Sequence, residues 1–169
     1  LQACWRISDV YLTLVTTGMS LYLMPRLGRL LRSGQAIGAT LWQALGFGVG
    51  AVTLAAVAIV SFRQAIIGWV FTDAFEPMIP LMPWQQAGAV ARIAAWILVF
   101  ALVALERRAW YMGLECLNPL LYWALVVQAG GAGLTAVPIA RLAANLVQFV
   151  LAVFALRAIL FARTQARGR

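Results

Sequence analysis

Five long apolar stretches recur along this chain, and arginine clusters occupy alternate gaps between them. A helix crossing the hydrocarbon core of a bilayer needs about 20 mostly apolar residues. The candidate spans run Ala3–Met24, Leu41–Phe62, Trp84–Leu105, Ala109–Gln128 and Leu134–Leu156. In hydrocarbon, backbone polar groups must be satisfied within the protein, so stretches of this length and composition read as helices. The expected fold is all-α: a polytopic membrane helix bundle over residues 1–157 with about five spans, then a basic tail over 158–169. With 64% hydrophobic and 11% charged residues, the chain carries too much apolar surface for a water-soluble core to hide.

All thirteen basic residues are arginine, and nine fall in three clusters: Arg26, Arg29 and Arg32; Arg107 and Arg108; Arg157, Arg163, Arg167 and Arg169. Short loops rich in arginine stay on the cytoplasmic side, so these clusters orient the chain with its C-terminus in the cytoplasm. The gap from Arg63 to Pro83 faces the other side, with Asp73, Glu76 and three prolines, and with Trp69 and Phe71 suited to the interfacial belt. The Gly130-Gly131 segment makes a tight external turn. Pro25 is expected to separate a short basic piece from the first span, and Pro138 to kink the last one. Because the chain starts at Leu1, inside what reads as a helix, it is expected to be the C-terminal part of something longer.

Other function classes find little support. The net charge of +8 sits at the ends of apolar runs, as membrane topology requires, which argues against nucleic acid as a partner. There is no histidine, and Cys4 and Cys116 stand alone, reading as small buried apolar residues, so no catalytic residue, metal site or cofactor is expected. Gly46-Phe47-Gly48-Val49-Gly50 lies inside an apolar span with no strand before it, so it reads as close helix packing instead of a nucleotide-binding turn.

Polar residues inside membrane helices are costly and mark a cavity or a partner. Arg6, Asp9, Thr13, Thr16 and Ser20 share one face of the first span, where Arg6 and Asp9 can pair and the hydroxyls can bond back to their own backbone. Arg141, Asn145 and Gln148 form a second stripe, Gln85, Gly88 and Arg92 a third, and Glu115 and Asn118 a fourth. Arg6, Arg92 and Arg141 fall within roughly the outer third of the bilayer at about 1.5 Å of rise per residue. They read as a cationic cavity for a phosphate-like anion, which arginine holds with forked hydrogen bonds, or as snorkelling residues and interhelical glue. Asp9 is either the partner of Arg6 or a titrating site, and Glu115 either an ion-coupling carboxylate or one end of an interhelical hydrogen bond.

Trp5-Arg6-Ile7-Ser8-Asp9-Val10-Tyr11, followed by Ser20-Leu21-Tyr22-Leu23-Met24-Pro25-Arg26-Leu27, resembles the eighth membrane helix of Wzx-type polysaccharide flippases. These belong to the multidrug/oligosaccharidyl-lipid/polysaccharide exporter (MOP) superfamily. Similar order continues through Phe75, Trp84-Gln85, Trp110-Tyr111 and Glu115 to Gly133-Leu134 and the basic C-terminus. The resemblance implies most of the second lobe of a twelve-helix transporter in the bacterial inner membrane. Such a protein moves undecaprenyl-diphosphate-linked oligosaccharide between leaflets for O-antigen or common-antigen synthesis. Its implied partners are that lipid-linked glycan, membrane lipid, the preceding helices of the same protein and other glycan-assembly proteins. Arg6, Asp9, Arg92 and Glu115 map by position onto the family's cavity; Arg141 matches no basic family position, and Ala89 stands where a family member carries an acidic residue. On this reading Arg92, Arg141, Arg6, Asp9, Asn145 and Gln148 bind substrate, and Glu115 or Asp9 couples an ion. A MATE-like small-molecule exporter is the alternative within transport, although a positively charged cavity suits its often cationic substrates poorly. A membrane glycosyltransferase or O-antigen polymerase would be expected to cluster charge in a large outer loop, where this chain has only Arg63, Asp73 and Glu76. A purely structural membrane subunit is the remaining reading.

Overall fold

The computed structural model describes residues 2–33, 35, 37–70, 79–130 and 133–167, with the side chains of 2–8, 67, 69, 70 and 162–167 outside the description. These residues form six helices: α1 (Gln2–Arg32), α2 (Gly38–Ser61), α3 (Arg63–Val70), α4 (Met82–Ala104), α5 (Arg108–Gln128) and α6 (Ala136–Arg167). No strand occurs among the described residues. Three segments are long and apolar enough to cross a membrane: Gly38–Ser61, Ile79–Ala104 and Ala136–Phe161. Helices α1 and α5 are long enough at about 1.5 Å per residue but less apolar, because they carry polar residues along their length.

Helix α4 is the axis of the bundle, packing against α1, α2, α5 and α6, and most extensively against α6. Its side chains are buried nearly all round, with Ile93, Ala95, Ile97, Val99, Ala101 and Leu102 at or below 1% exposure. The surrounding helices bury one stripe each. In α1 the stripe is Leu12, Met19, Leu23 and Leu27; in α2 it is Leu41, Ala44, Gly48, Val52 and Ala56. Helix α6 turns mainly alanine inward (Ala140, Ala144, Ala152 and Ala155), and small residues let two helices approach closely. Gly48 shows the same device, since a Cβ there would lie 2.7 Å from Ile97 Cδ1, whereas Gly46 and Gly50 face open space. The outer surface is the reverse of a soluble protein's. Leu14, Leu21, Trp42, Phe47 and Leu54 are each at least 70% exposed, apolar area that lipid tolerates and water does not.

Several boundaries differ from the sequence-based expectation. Pro25 does not end the first helix; α1 continues through it to Arg32. A proline inside a helix leaves the carbonyl four residues earlier without its usual donor, and the exposed position of Pro25 spares it a packing clash. Pro138 lies in the first turn of α6, where its missing N–H has no helical acceptor to serve, so it fits the start of the helix and no mid-helix kink is needed. Helix α6 also continues through Arg157 to Arg167, so the stretch set apart as a basic tail is largely helical. Part of the expected outer gap is the short helix α3, beginning at Arg63; Phe71, Asp73, Glu76 and the Trp69 side chain lie outside the described residues. Cys116 is exposed on α5, contrary to its expected burial, and the Cys4 side chain lies outside the described residues.

The turns have identifiable chemistry. After α4, the N–H of Arg107 bonds to the Leu102 carbonyl (2.9 Å) and that of Glu106 to Val103 (3.0 Å), the paired bonds of a Schellman cap. Glu106 takes the left-handed position at φ 60°, where glycine is usual. Before α6, Gly133 occupies the left-handed region at φ 77°.

Candidate functional site

A cleft opens where α1, α4 and α6 meet, and each helix contributes one face. From α4 come Gln85, Gly88, Ala89 and Arg92, spaced three, one and three residues apart; from α6 come Pro138, Arg141 and Asn145; from α1 come Asp9 and Leu12. Gly88 and Ala89 keep the α4 wall low between its polar residues, and a Cβ on Gly88 would meet the Leu142 backbone at 3.7 Å. The free volume is about 40 Å³, room for roughly one to a few water molecules.

Arg92 and Asp9 face each other across the cleft, with Nη1 3.4 Å from Oδ1. Both remain about half exposed, at 48% and 60%. Asp9 thus reaches a partner on another helix; the Arg6 side chain lies outside the described residues. Arg141 lies over the ring of Tyr122 from α5, 5.5 Å from its centroid, a cation–π contact. Gln85 Oε1 is a buried acceptor without a hydrogen-bond partner. The α1 hydroxyls turn back to their own helix: Thr13 donates to Asp9 O (2.6 Å), Thr16 to Thr13 O (3.2 Å) and Ser20 to Thr16 O (2.7 Å). Among the described residues no group of three or more histidine, cysteine, aspartate or glutamate side chains is placed to hold a metal ion.

Asn145 and Gln148 belong to a second feature, a polar seam between α5 and α6. Asn145 Nδ2 donates to Gly88 O (3.0 Å), and its Oδ1 accepts from Asn118 Nδ2 (3.1 Å). Asn118 Nδ2 also donates to Gln148 Oε1 (2.8 Å), while Gln148 Nε2 donates to Leu114 O (3.4 Å) and Glu115 Oε1 (3.3 Å). Together with Tyr122 and Arg141, the rungs run in one register. Four and then three residues forward along α6 meet four and then three residues backward along α5, so the two helices pack antiparallel. Asn145 lines the cleft with its amide engaged at both ends, and Gln148 lies further along the seam.

The structure therefore brings Arg92, Arg141, Asp9 and Asn145 to one cleft, and places Gln148 and Glu115 outside it. Two contributors escaped the sequence reading. Tyr122 continues the face of Glu115 and Asn118 by one more turn, past Pro119. Gln86, 3% exposed, accepts a hydrogen bond from Tyr11 and ties α1 to α4 beside the cleft; its burial could be read only from its neighbours.

The chain is similar to the lipid III flippase of Escherichia coli (strain K12). The two are 29% identical over 111 residues, 66% of this chain and 26% of the flippase. The lipid III flippase of Shigella flexneri matches to the same extent. The matched part thus spans about a quarter of the length of these relatives. No family model matches the chain, and no solved structure does. The similarity supports a flippase-like relationship for a helical chain with three segments suited to a membrane.

Proposed function

We propose that this chain is part of a flippase for lipid-linked glycan, a transporter and not an enzyme. In this reading α1, α2, α4, α5 and α6 all span the bacterial inner membrane, within a MOP-type lobe whose C-terminus is cytoplasmic. Its substrate is an undecaprenyl-diphosphate-linked oligosaccharide of O-antigen or common-antigen synthesis, handled with the preceding helices of the full protein and other glycan-assembly proteins. The observation that carries the reading is that Arg92 and Arg141, which topology does not account for, line one cleft in a chain similar to a lipid III flippase.

Two guanidinium groups face a single carboxylate there, which leaves the cleft cationic. Arginine's planar fork matches phosphate oxygens, and a poorly hydrated site strengthens such bonds. Asp9 occupies Arg92 Nη1, so a phosphate that takes the Arg92 fork displaces Asp9 from it. Arg141 is held over the Tyr122 ring. Asp9 and Glu115 are the carboxylates available to a coupling ion: Asp9 through its exchange with Arg92, Glu115 through its bond to Gln148. The cationic balance disfavours an exporter of cationic small molecules.

The test is Arg92→Ala and Arg141→Ala in the full-length protein, reading surface glycan and membrane insertion separately. Loss of glycan with normal insertion is expected for each; normal glycan in both overturns the assignment.

A further inference from the structure

Five polar side chains line the cleft between α1, α4 and α6: Asp9, Gln85, Arg92, Arg141 and Asn145. Four of them have partners within the chain. Asp9 and Arg92 hold each other, Arg141 lies over the Tyr122 ring, and the Asn145 amide donates to Gly88 O and accepts from Asn118. Gln85 differs, because its Oε1 is closed off from solvent and receives no hydrogen bond. A buried acceptor left unmatched is costly, so an orphan of this kind marks a place where a water or a ligand supplies the missing donor.

The position of Gln85 narrows what that donor is. Gln85 shares one face of α4 with Ala89 and Arg92, seven residues or about 10 Å of helical rise from Arg92, and Gly88 and Ala89 keep the surface between them low. Arg92 and Arg141 on the same walls disfavour a cation. An ionised phosphate or carboxylate oxygen has no proton to donate. What is left is a neutral O–H or N–H, and the free volume of about 40 Å³ has room for a group of that size beside Gln85. A ligand that satisfies the whole cleft therefore combines an anion, for the two guanidinium groups, with a neutral donor close by. In a glycosyl phosphate the two are covalent neighbours, phosphate oxygens on one side of the glycosidic bond and hydroxyls or an amide N–H on the other.

We infer that Gln85 is a specificity-determining residue of the cleft, its Oε1 accepting a hydrogen bond from a hydroxyl or amide N–H of the sugar unit next to the phosphate. The inference rests on the reading of the cleft as a phosphate site and adds to it a requirement on what the phosphate carries. A site built around an acceptor rejects a ligand that lacks the donor, since water is expelled and the acceptor stays unmatched. A water held there in the empty cleft is replaced without loss by a sugar hydroxyl and with loss by an apolar group.

The full-length protein in detergent is titrated calorimetrically with three diphosphate diesters of equal charge. These are geranyl methyl diphosphate, which has no neutral donor; geranyl glucosyl diphosphate; and its tetra-O-methyl derivative, which keeps the sugar ring and loses the hydroxyls. The glucosyl ester is expected to bind about tenfold tighter than the methyl ester, as one hydrogen bond predicts, and the methylated sugar no tighter than the methyl ester. Gln85→Met keeps the side chain's length and removes the acceptor. It should bring the glucosyl ester to the affinity of the methyl ester and leave methyl-ester binding in place, which also shows that the variant is folded. Arg92→Ala with Arg141→Ala should weaken all three esters together. Equal affinity for the glucosyl and methyl esters in the unmodified protein overturns the Gln85 assignment, as does a methylated sugar that binds as tightly as the free one. A preference that survives Gln85→Met, or loss of methyl-ester binding in that variant, overturns it too. Methyl-ester binding that is absent from the unmodified protein, or that persists without the two arginines, removes the phosphate reading and this inference with it.

Discussion

At the scale of single residues, the arrangement around Arg92 separates charge from stability. Its bond to Asp9 is half exposed, and such pairs contribute only about 0–1 kcal/mol. Asp9→Asn is therefore expected to change unfolding in detergent by less than about 1 kcal/mol, while altering transport because Arg92 loses the carboxylate that substrate must displace. A large loss of stability would show instead that Asp9 is structural. Lysine at position 92 or 141 keeps the charge and loses the fork. One charge-assisted hydrogen bond of about 1.5 kcal/mol corresponds to a roughly tenfold lower rate. Full recovery of glycan with lysine would mean that charge alone is enough. Arg141 and Tyr122 add a point that spacing could not supply: the partner of a membrane arginine here is an aromatic face on the neighbouring helix.

At the scale of elements, three joints hold the bundle, and each answers to a different substitution. Asn145 is 3% exposed and bridges α4, α5 and α6 through two bonds. Interhelical hydrogen bonds in membranes average about 0.6 kcal/mol, so Asn145→Ala should cost about 1–2 kcal/mol in detergent unfolding. The α2–α4 contact depends on Gly48. Alanine asks only that the far end of Ile97 shift, whereas leucine overfills a buried joint, at about 1–3 kcal/mol. Equal stability for Gly48→Leu and Gly48→Ala would show that α2 can move away freely. The α4–α5 turn places Glu106 in a backbone region that costs an L-residue about 1–2 kcal/mol. Glu106→Gly should accordingly raise stability, as thermal unfolding would register.

At the scale of the whole molecule, the open quantity is which helices cross the bilayer. Length and apolarity select Gly38–Ser61, Ile79–Ala104 and Ala136–Phe161, whereas α1 and α5 are long enough but diluted by polar residues. Packing against α4 and α6 gives Tyr11 and Asp9 of α1 and Glu115 and Asn118 of α5 partners within the bundle, and the α1 hydroxyls bond to their own backbone, which lowers the cost of placing these residues in hydrocarbon. If α5 spans, its two ends lie on opposite sides of the membrane. In a background with Cys4 and Cys116 replaced by alanine, Arg107→Cys should react with an impermeant thiol reagent only from the cytoplasmic side, and Gly133→Cys only from the opposite side. Labelling of both from one side would remove α5 from the spanning set and overturn the arginine-based orientation.

Helicity and the three segments suited to a membrane were legible from the chain alone, because they depend on quantities local in sequence: the thickness of hydrocarbon and the cost of charge within it. The polar faces were legible for the same reason, since the helical period places Gln85, Gly88 and Arg92 together wherever α4 sits. The partners were not. Whether Asp9 meets Arg6 or Arg92, whether Asn145 contacts substrate or bridges helices, and how far a stripe continues past Pro119 depend on the rotation and register of neighbouring helices. Each of those is set by the summed packing of many small contacts and by no single spacing. The sequence by itself determined a membrane-suited helical chain with basic groups in apolar spans; only the tertiary structure decided that Arg92 and Arg141 share a cleft, because α4 packs against both α1 and α6 and their register brings Asp9 and Arg141 beside Arg92.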